Sequence, residues 1–75
     1  MIKHLTRHGN SHALVIDKPI LELLEIDEKT PLRILTDGER LFIHPVGTPR
    51  RRRALHAALK RLERQYGTTF RDLTL

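Results

Sequence analysis

The stretch PLRILTDGERLFIHP, residues 31–45, constrains this chain more than any other. Asp37-Gly38 is a turn dipeptide, because glycine takes positive φ without steric cost. On either side apolar and polar residues alternate, as half-buried strands require. A two-residue type I′ turn predicts a hairpin in which Thr36 faces Glu39, Leu35 faces Arg40, Ile34 faces Leu41, Arg33 faces Phe42 and Leu32 faces Ile43. One face then carries Leu32, Ile34, Leu41 and Ile43 as cross-strand aliphatic pairs and is the expected buried side. The other face mixes arginines with Leu35 and Phe42. Pro31 and Pro45 bracket the hairpin and limit its extension.

The rest of the chain supplies elements to set beside it. Residues 17–26, DKPILELLEI, predict a short helix, with Asp17 as cap, Pro19 in the first turn and an apolar face of Ile20, Leu21, Leu23 and Leu24. Residues 2–6 and 13–16 read as strands joined by the turn HGNS. After Gly47-Thr48-Pro49, Leu55, Ala58, Leu59, Leu62 and Tyr66 recur at helical spacing, with Thr48 as cap, Pro49 as first residue and Gly67 as stop. The segment 68–73, TTFRDL, is expected to restart a final helical turn, with Phe70 and Leu73 on one side.

A chain of 75 residues makes one small domain and buries too little of its surface to be comfortable alone. It has no cysteine, which removes disulfides and thiolate zinc sites as remedies. Only 4% of its residues are aromatic, so the core is aliphatic and thin, and oligomerisation is the expected remedy. No run approaches the ~20 apolar residues that span a bilayer, and nothing resembles a secretion signal. A cytoplasmic protein with no membrane partner is expected.

Charge divides the chain in two. Residues 1–46 hold six Lys and Arg against seven Asp and Glu, whereas residues 47–75 hold eight against two. The net charge of +5 therefore resides in the tail and favours an anionic partner.

The polar stretch RHGNSHALVID, residues 7–17, admits three chemistries. His4, His8 and His12 lie four apart, which on a helix would suggest a metal, but here the spacing crosses a turn between strands and no second ligand pair accompanies it. Ser11 lies near His8, His12 and Asp17, yet a triad needs a rigid elbow, an oxyanion hole and a pocket that this short body lacks the volume to build. No enzyme, metal or cofactor is expected. What remains is a binding surface: Lys3, Arg7, His8, Asn10, Ser11 and His12 offer forked, amide and hydroxyl groups suited to base edges and phosphates. An ordinary polar turn is the plain alternative.

Taken together, RHGNSHALVIDKPILELLEI followed by LRILTDGERLFIHPV resembles the N-terminal domain of the AbrB/MazE family of bacterial antitoxins and transcription regulators. The resemblance covers residues 2–46 and rests on Gly9-Asn10-Ser11 with Ala13, Ile16 and Lys18 at matching offsets, plus the Asp37-Gly38 hairpin. It implies a mainly β fold, a swapped-hairpin β-barrel homodimer with a short helix, followed by a C-terminal helix. It also implies binding of operator double-stranded DNA through the first strand and turn, where Lys3, Arg7, Asn10 and Ser11 match basic or polar positions. Two positions depart from the pattern: Val15 stands where the family often has arginine, and Asp17 where proline is usual.

In antitoxins of this family the C-terminal segment wraps a cognate toxin and is commonly acidic. This tail is basic. Its apolar anchors Leu55, Leu59, Leu62, Tyr66 and Phe70 suit a helix-in-groove ligand for a toxin, or alternatively pack on their own dimer. Arg50, Arg51, Arg52 and Arg53 oppose the helix dipole, and DNA phosphates would relieve that conflict. The expected division is a DNA-binding dimerisation domain over 1–46 and a separable linker and partner-binding tail over 47–75. The expected function is that of an antitoxin in a type II toxin–antitoxin pair. A stand-alone regulator of the same fold is the first alternative, and a small basic RNA-associated protein the second.

Overall fold

The computed structural model describes residues 1–73. In order they form β1 (Thr6–His8), β2 (Ser11–Ala13), α1 (Lys18–Leu23), β3 (Leu32–Thr36), β4 (Leu41–Pro45), α2 (Pro49–Tyr66) and β5 (Arg71–Asp72). The strands are antiparallel and lie in two separate sheets, β1-β2 and β4-β3-β5. No barrel closes among the described residues, and the helices hold more residues than the strands. The expected mainly β barrel is therefore, within one chain, a mixed α/β arrangement.

The central hairpin differs in register from its expectation. Leu32 faces Pro45, Ile34 faces Ile43, Leu35 faces Phe42 and Thr36 faces Leu41. A four-residue loop, 37–40, replaces the two-residue turn because the Asp37 carboxylate accepts from the Glu39 and Arg40 amides at 2.9 and 2.7 Å. Such local side-chain bonds compete with the ladder and hold the loop open. The shift is two residues, so the same side chains still share each face.

Which face is buried is the larger correction. Leu32, Ile34, Leu41 and Ile43, the expected core, are 38–60% exposed. The mixed face supplies the core instead: Leu35, Leu55 and Phe70 are buried, with Phe42, Val46, Leu59 and Leu62 packed around them. The rings of Phe42 and Phe70 meet edge to face at 6.3 Å. The cause is the direction in which α2 leaves β4.

That direction is set at Gly47. Its φ is +108°, and a Cβ there would come within 2.9 Å of the Pro31 ring. Beside it the Val46 amide donates to the Pro31 carbonyl at 2.9 Å. The 47–49 stretch is thus anchored to the start of the hairpin, and it turns α2 back over Leu35 and Phe42. Thr48 caps α2 by accepting from the Arg51 amide, and Gly67 ends it in the left-handed region.

Residues 68–73 form no helical turn. They run back as β5 along β3, pairing Thr36 with Arg71 and Leu35 with Asp72. Three bonds fix this return: the Phe70 amide donates to the Glu63 carboxylate, Thr68 Oγ1 donates to Asp37, and Arg33 donates to Asp72 at 2.6 Å. The sheet's unpaired β3 edge drew the segment into strand.

The N-terminal residues pack differently. β1 and β2 contact each other and no other element, and α1 buries no residue. The helix is also shorter than expected. It stops at Leu23, where the Glu25 and Ile26 amides return to the Glu22 and Leu21 carbonyls. This is a Schellman closure with Glu25, at φ 55°, in the position that glycine usually takes. Altogether the chain exposes 6577 Å², against roughly 4,800 Å² for a compact monomer of this mass.

Candidate nucleic-acid interface

The β1–β2 hairpin is a short arm with a two-residue tip, Gly9-Asn10. Gly9 takes φ 61° while Asn10 stays at negative φ, the signature of a type II′ turn. The strands lie later and earlier, respectively, than the expected 2–6 and 13–16, so the tip is tighter than the expected HGNS turn and the polar residues themselves form the ladder. Arg7 faces His12, and His8 faces Ser11.

All six residues expected to touch DNA are exposed, but the arm divides them. Arg7 and His12 share one face; His8 and Ser11 share the other; Asn10 sits at the tip. Arg7 Nε reaches the Gly9 carbonyl at 3.4 Å, a long bond that leans the guanidinium over the turn and leaves its terminal nitrogens for a ligand. Lys3 is set apart. Its ammonium pairs with Asp17 at 2.9 Å, and the Asp17 carboxylate accordingly makes no cap bond to α1. An exposed pair of this kind contributes about 0–1 kcal/mol, so it offers little resistance to a competing phosphate.

Beyond the arm, Val15 is 53% exposed. It borders a shallow apolar cleft of about 270 Å³ with Met1, Leu14, Ile16, Ile20 and the Lys3 stem. The aliphatic hairpin face opens onto a wider trough, lined by Leu32, Ile34, Val46 and Leu73, whose charged neighbours Arg33 and Asp72 are paired with each other. Neither depression brings together an acid, a base and a nucleophile. Among the described residues no three His, Asp or Glu side chains gather as a metal site would require.

The tail residues are placed as follows. Arg50, Arg52 and Arg53 are exposed, while Arg51 is half-buried and donates to the Glu25 carbonyl at 2.6 Å. Leu55 and Phe70 are in the core, and Leu59 and Leu62 pack against it. Tyr66 lies beneath the Arg40 guanidinium, 3.8 Å from its ring centroid. The sequence offered no signal for that stack, since Arg40 belonged to a different predicted pairing.

Arg40 also pairs with Asp37 at 2.9 Å, and the Asp37 side chain is fully enclosed. The Glu39 amide, first among its donors, holds this carboxyl well below the usual carboxylate range; the Arg40 amide, Thr68 and the Arg40 guanidinium reinforce it against the opposing effect of burial. This polar knot joins the hairpin loop to the end of α2.

No protein-family model matches the chain, and neither a curated protein nor a solved structure matches it. No helix among the described residues is long and apolar enough to cross a membrane.

Proposed function

We propose that the chain is a homodimeric, cytoplasmic DNA-binding regulator of the AbrB/MazE type that contacts operator DNA through the β1–β2 arm. The observation that carries this reading is the arm itself. It stands clear of every other element and presents Arg7, His12 and Asn10 at an exposed, tightly turned tip. Arginine pairs bidentately with guanine and asparagine with adenine, so these residue types can read base edges as well as hold phosphates.

A second copy accounts for the apolar surface that the chain leaves uncovered. Met1, Ile2, Leu5, Leu23 and Leu41 are each at least 60% exposed, and Ile34 and Ile43 remain 40% and 38% exposed. The excess exposure of roughly 1,800 Å² over a compact monomer is the scale of surface that an obligate dimer buries. Interleaving of two arms and two aliphatic hairpin faces would bury it, as the swapped-hairpin arrangement does.

For the tail, the packing favours the stand-alone regulator over the antitoxin. Leu55, Leu59, Leu62 and Phe70 already serve the chain's own core, so a toxin groove could take them only by displacing α2 from β3 and β4. Co-purification of a toxin with the native protein would restore the antitoxin reading.

The direct test is operator binding by Arg7→Ala and Asn10→Ala. Each is expected to cost about 1–3 kcal/mol and to relax sequence preference, with the oligomeric state unchanged. Unaltered binding in both variants would reduce the arm to a polar turn.

A further inference from the structure

The solvent face of α2 carries a pattern that the arm does not explain. Arg50, Arg53, Lys60, Arg61 and Arg64 are all exposed. At 3.6 residues per turn they fall within a wedge about 120° wide, centred on Ala57 and opposite the Leu55–Leu59–Leu62 side that packs on the hairpin. None of the five takes part in an ion pair among the described residues. No acid lies in the first turn of α2, and the carboxylate of Glu63 is turned inward onto the Phe70 amide. The wedge is therefore a single-sign stripe. Its fixed axis comes from the anchored Gly47 and the buried opposite face.

We propose that this stripe is a second, sequence-independent contact to duplex DNA, lying along the phosphate backbone. From Arg50 to Arg64 the helix advances about 21 Å, which spans roughly six base pairs of B-DNA rise. Phosphate binding asks for cations at intervals and for little else. A protein partner instead needs buried apolar or aromatic anchors, and the stripe has none between its cations except small alanines. An anionic membrane is also disfavoured, because the apolar side of α2 that would enter it is already covered by Leu35 and Phe42. The choice of DNA among polyanions rests on the proposed function of the arm.

The test uses the full chain and a variant with Arg50, Arg53, Lys60, Arg61 and Arg64 replaced by glutamine. Binding to operator and random-sequence duplexes is measured between about 50 and 200 mM salt, with polyglutamate as a second probe. The slope of log K against log salt should fall by about 0.9 per lost contact, hence by roughly 4.5 for each stripe that lies on the duplex, equally on both duplexes. Sequence preference should not change. Lysine at the four arginine positions should retain the slope and guards against a folding defect in the glutamine variant. An unchanged slope overturns the proposal. So does loss of polyglutamate binding with duplex binding intact, which assigns the stripe to an acidic protein. The Arg7→Ala/Asn10→Ala double variant separates the two readings: if it leaves operator preference untouched while the stripe variant still lowers the slope, the arm reading fails and the stripe stands.

Discussion

The arm, residues 1–26, and the hairpin–helix body, residues 31–73, solve the problem of a small chain in different ways. The body makes its own core from three distant segments, with Leu35, Leu55 and Phe70 drawn from a strand, a helix and the residues after that helix. The arm has no buried residue, and its order comes from one short ladder, a Schellman turn and the Lys3–Asp17 pair. One region is stabilised by burial within the chain. The other leaves both its apolar and its polar side chains largely exposed. The residues proposed to bind DNA therefore lie where self-packing is weakest.

Substitution of the core should show the contrast most strongly. Phe70→Ala removes a buried ring and its edge contact with Phe42, and is expected to destabilise the body by about 3–5 kcal/mol in a denaturant melt. A loss below 1 kcal/mol would mean that the return of residues 68–73 adds nothing to the core. Next comes Gly47→Ala. The new methyl must meet Pro31 while the backbone holds a left-handed φ, so a loss of about 1–3 kcal/mol is expected, together with reduced amide protection in α2. An alanine variant as stable as the parent would show that the anchor is dispensable.

Acid provides a milder probe. Asp37 is held ionised in the folded body, so its contribution is complete above about pH 4 and is lost as pH falls through the range below. Thermal melts should therefore decline more steeply below pH 4 for the parent than for Asp37→Asn. Parallel declines would exclude this carboxylate as a source of acid sensitivity. The smallest effect belongs to the arm: Lys3→Ala should change stability by less than about 1 kcal/mol, because the pair it breaks is exposed. A larger loss would mean that the arm depends on this pair more than its exposure implies.

Much of this organisation was legible in the residues. The cap and stop of α2, Thr48 and Gly67, follow from local chemistry that no tertiary contact contests; a turn around Gly9-Asn10 was legible in the same way, although its two-residue tip is tighter than the expected one. The hairpin's existence was legible for the same reason. Its register was not, because Asp37 could either donate its backbone to a tight turn or use its carboxylate to close a wider one. The choice of buried face lay further out of reach. Leu32, Ile34, Leu41 and Ile43 are the more uniform set, but the positive φ of Gly47 decides where α2 goes, and that depends on Pro31 sixteen positions earlier. Helical spacing also hid the fate of residues 68–73, which take strand form because an open sheet edge lies beside them. At the candidate site, the placement of Arg7, His8, Asn10, Ser11 and His12 about an exposed turn was legible, while Lys3's engagement with Asp17 and Arg51's with Glu25 were not, since both are contacts between separated segments.

The Arg51–Glu25 bond also limits communication within the chain. Among the described residues it is the one side-chain hydrogen bond that joins the arm to the body; otherwise they are connected by the 27–30 loop. This bond and that loop are the direct links through which a ligand on one region can alter affinity at the other. A hydrogen bond from a charged donor contributes about 1.5–3 kcal/mol. Linkage is reciprocal, so coupling carried by it is bounded at roughly one to two decades in affinity in either direction. Within a single chain, whatever this one bond carries between the arm and the helix stays inside that bound.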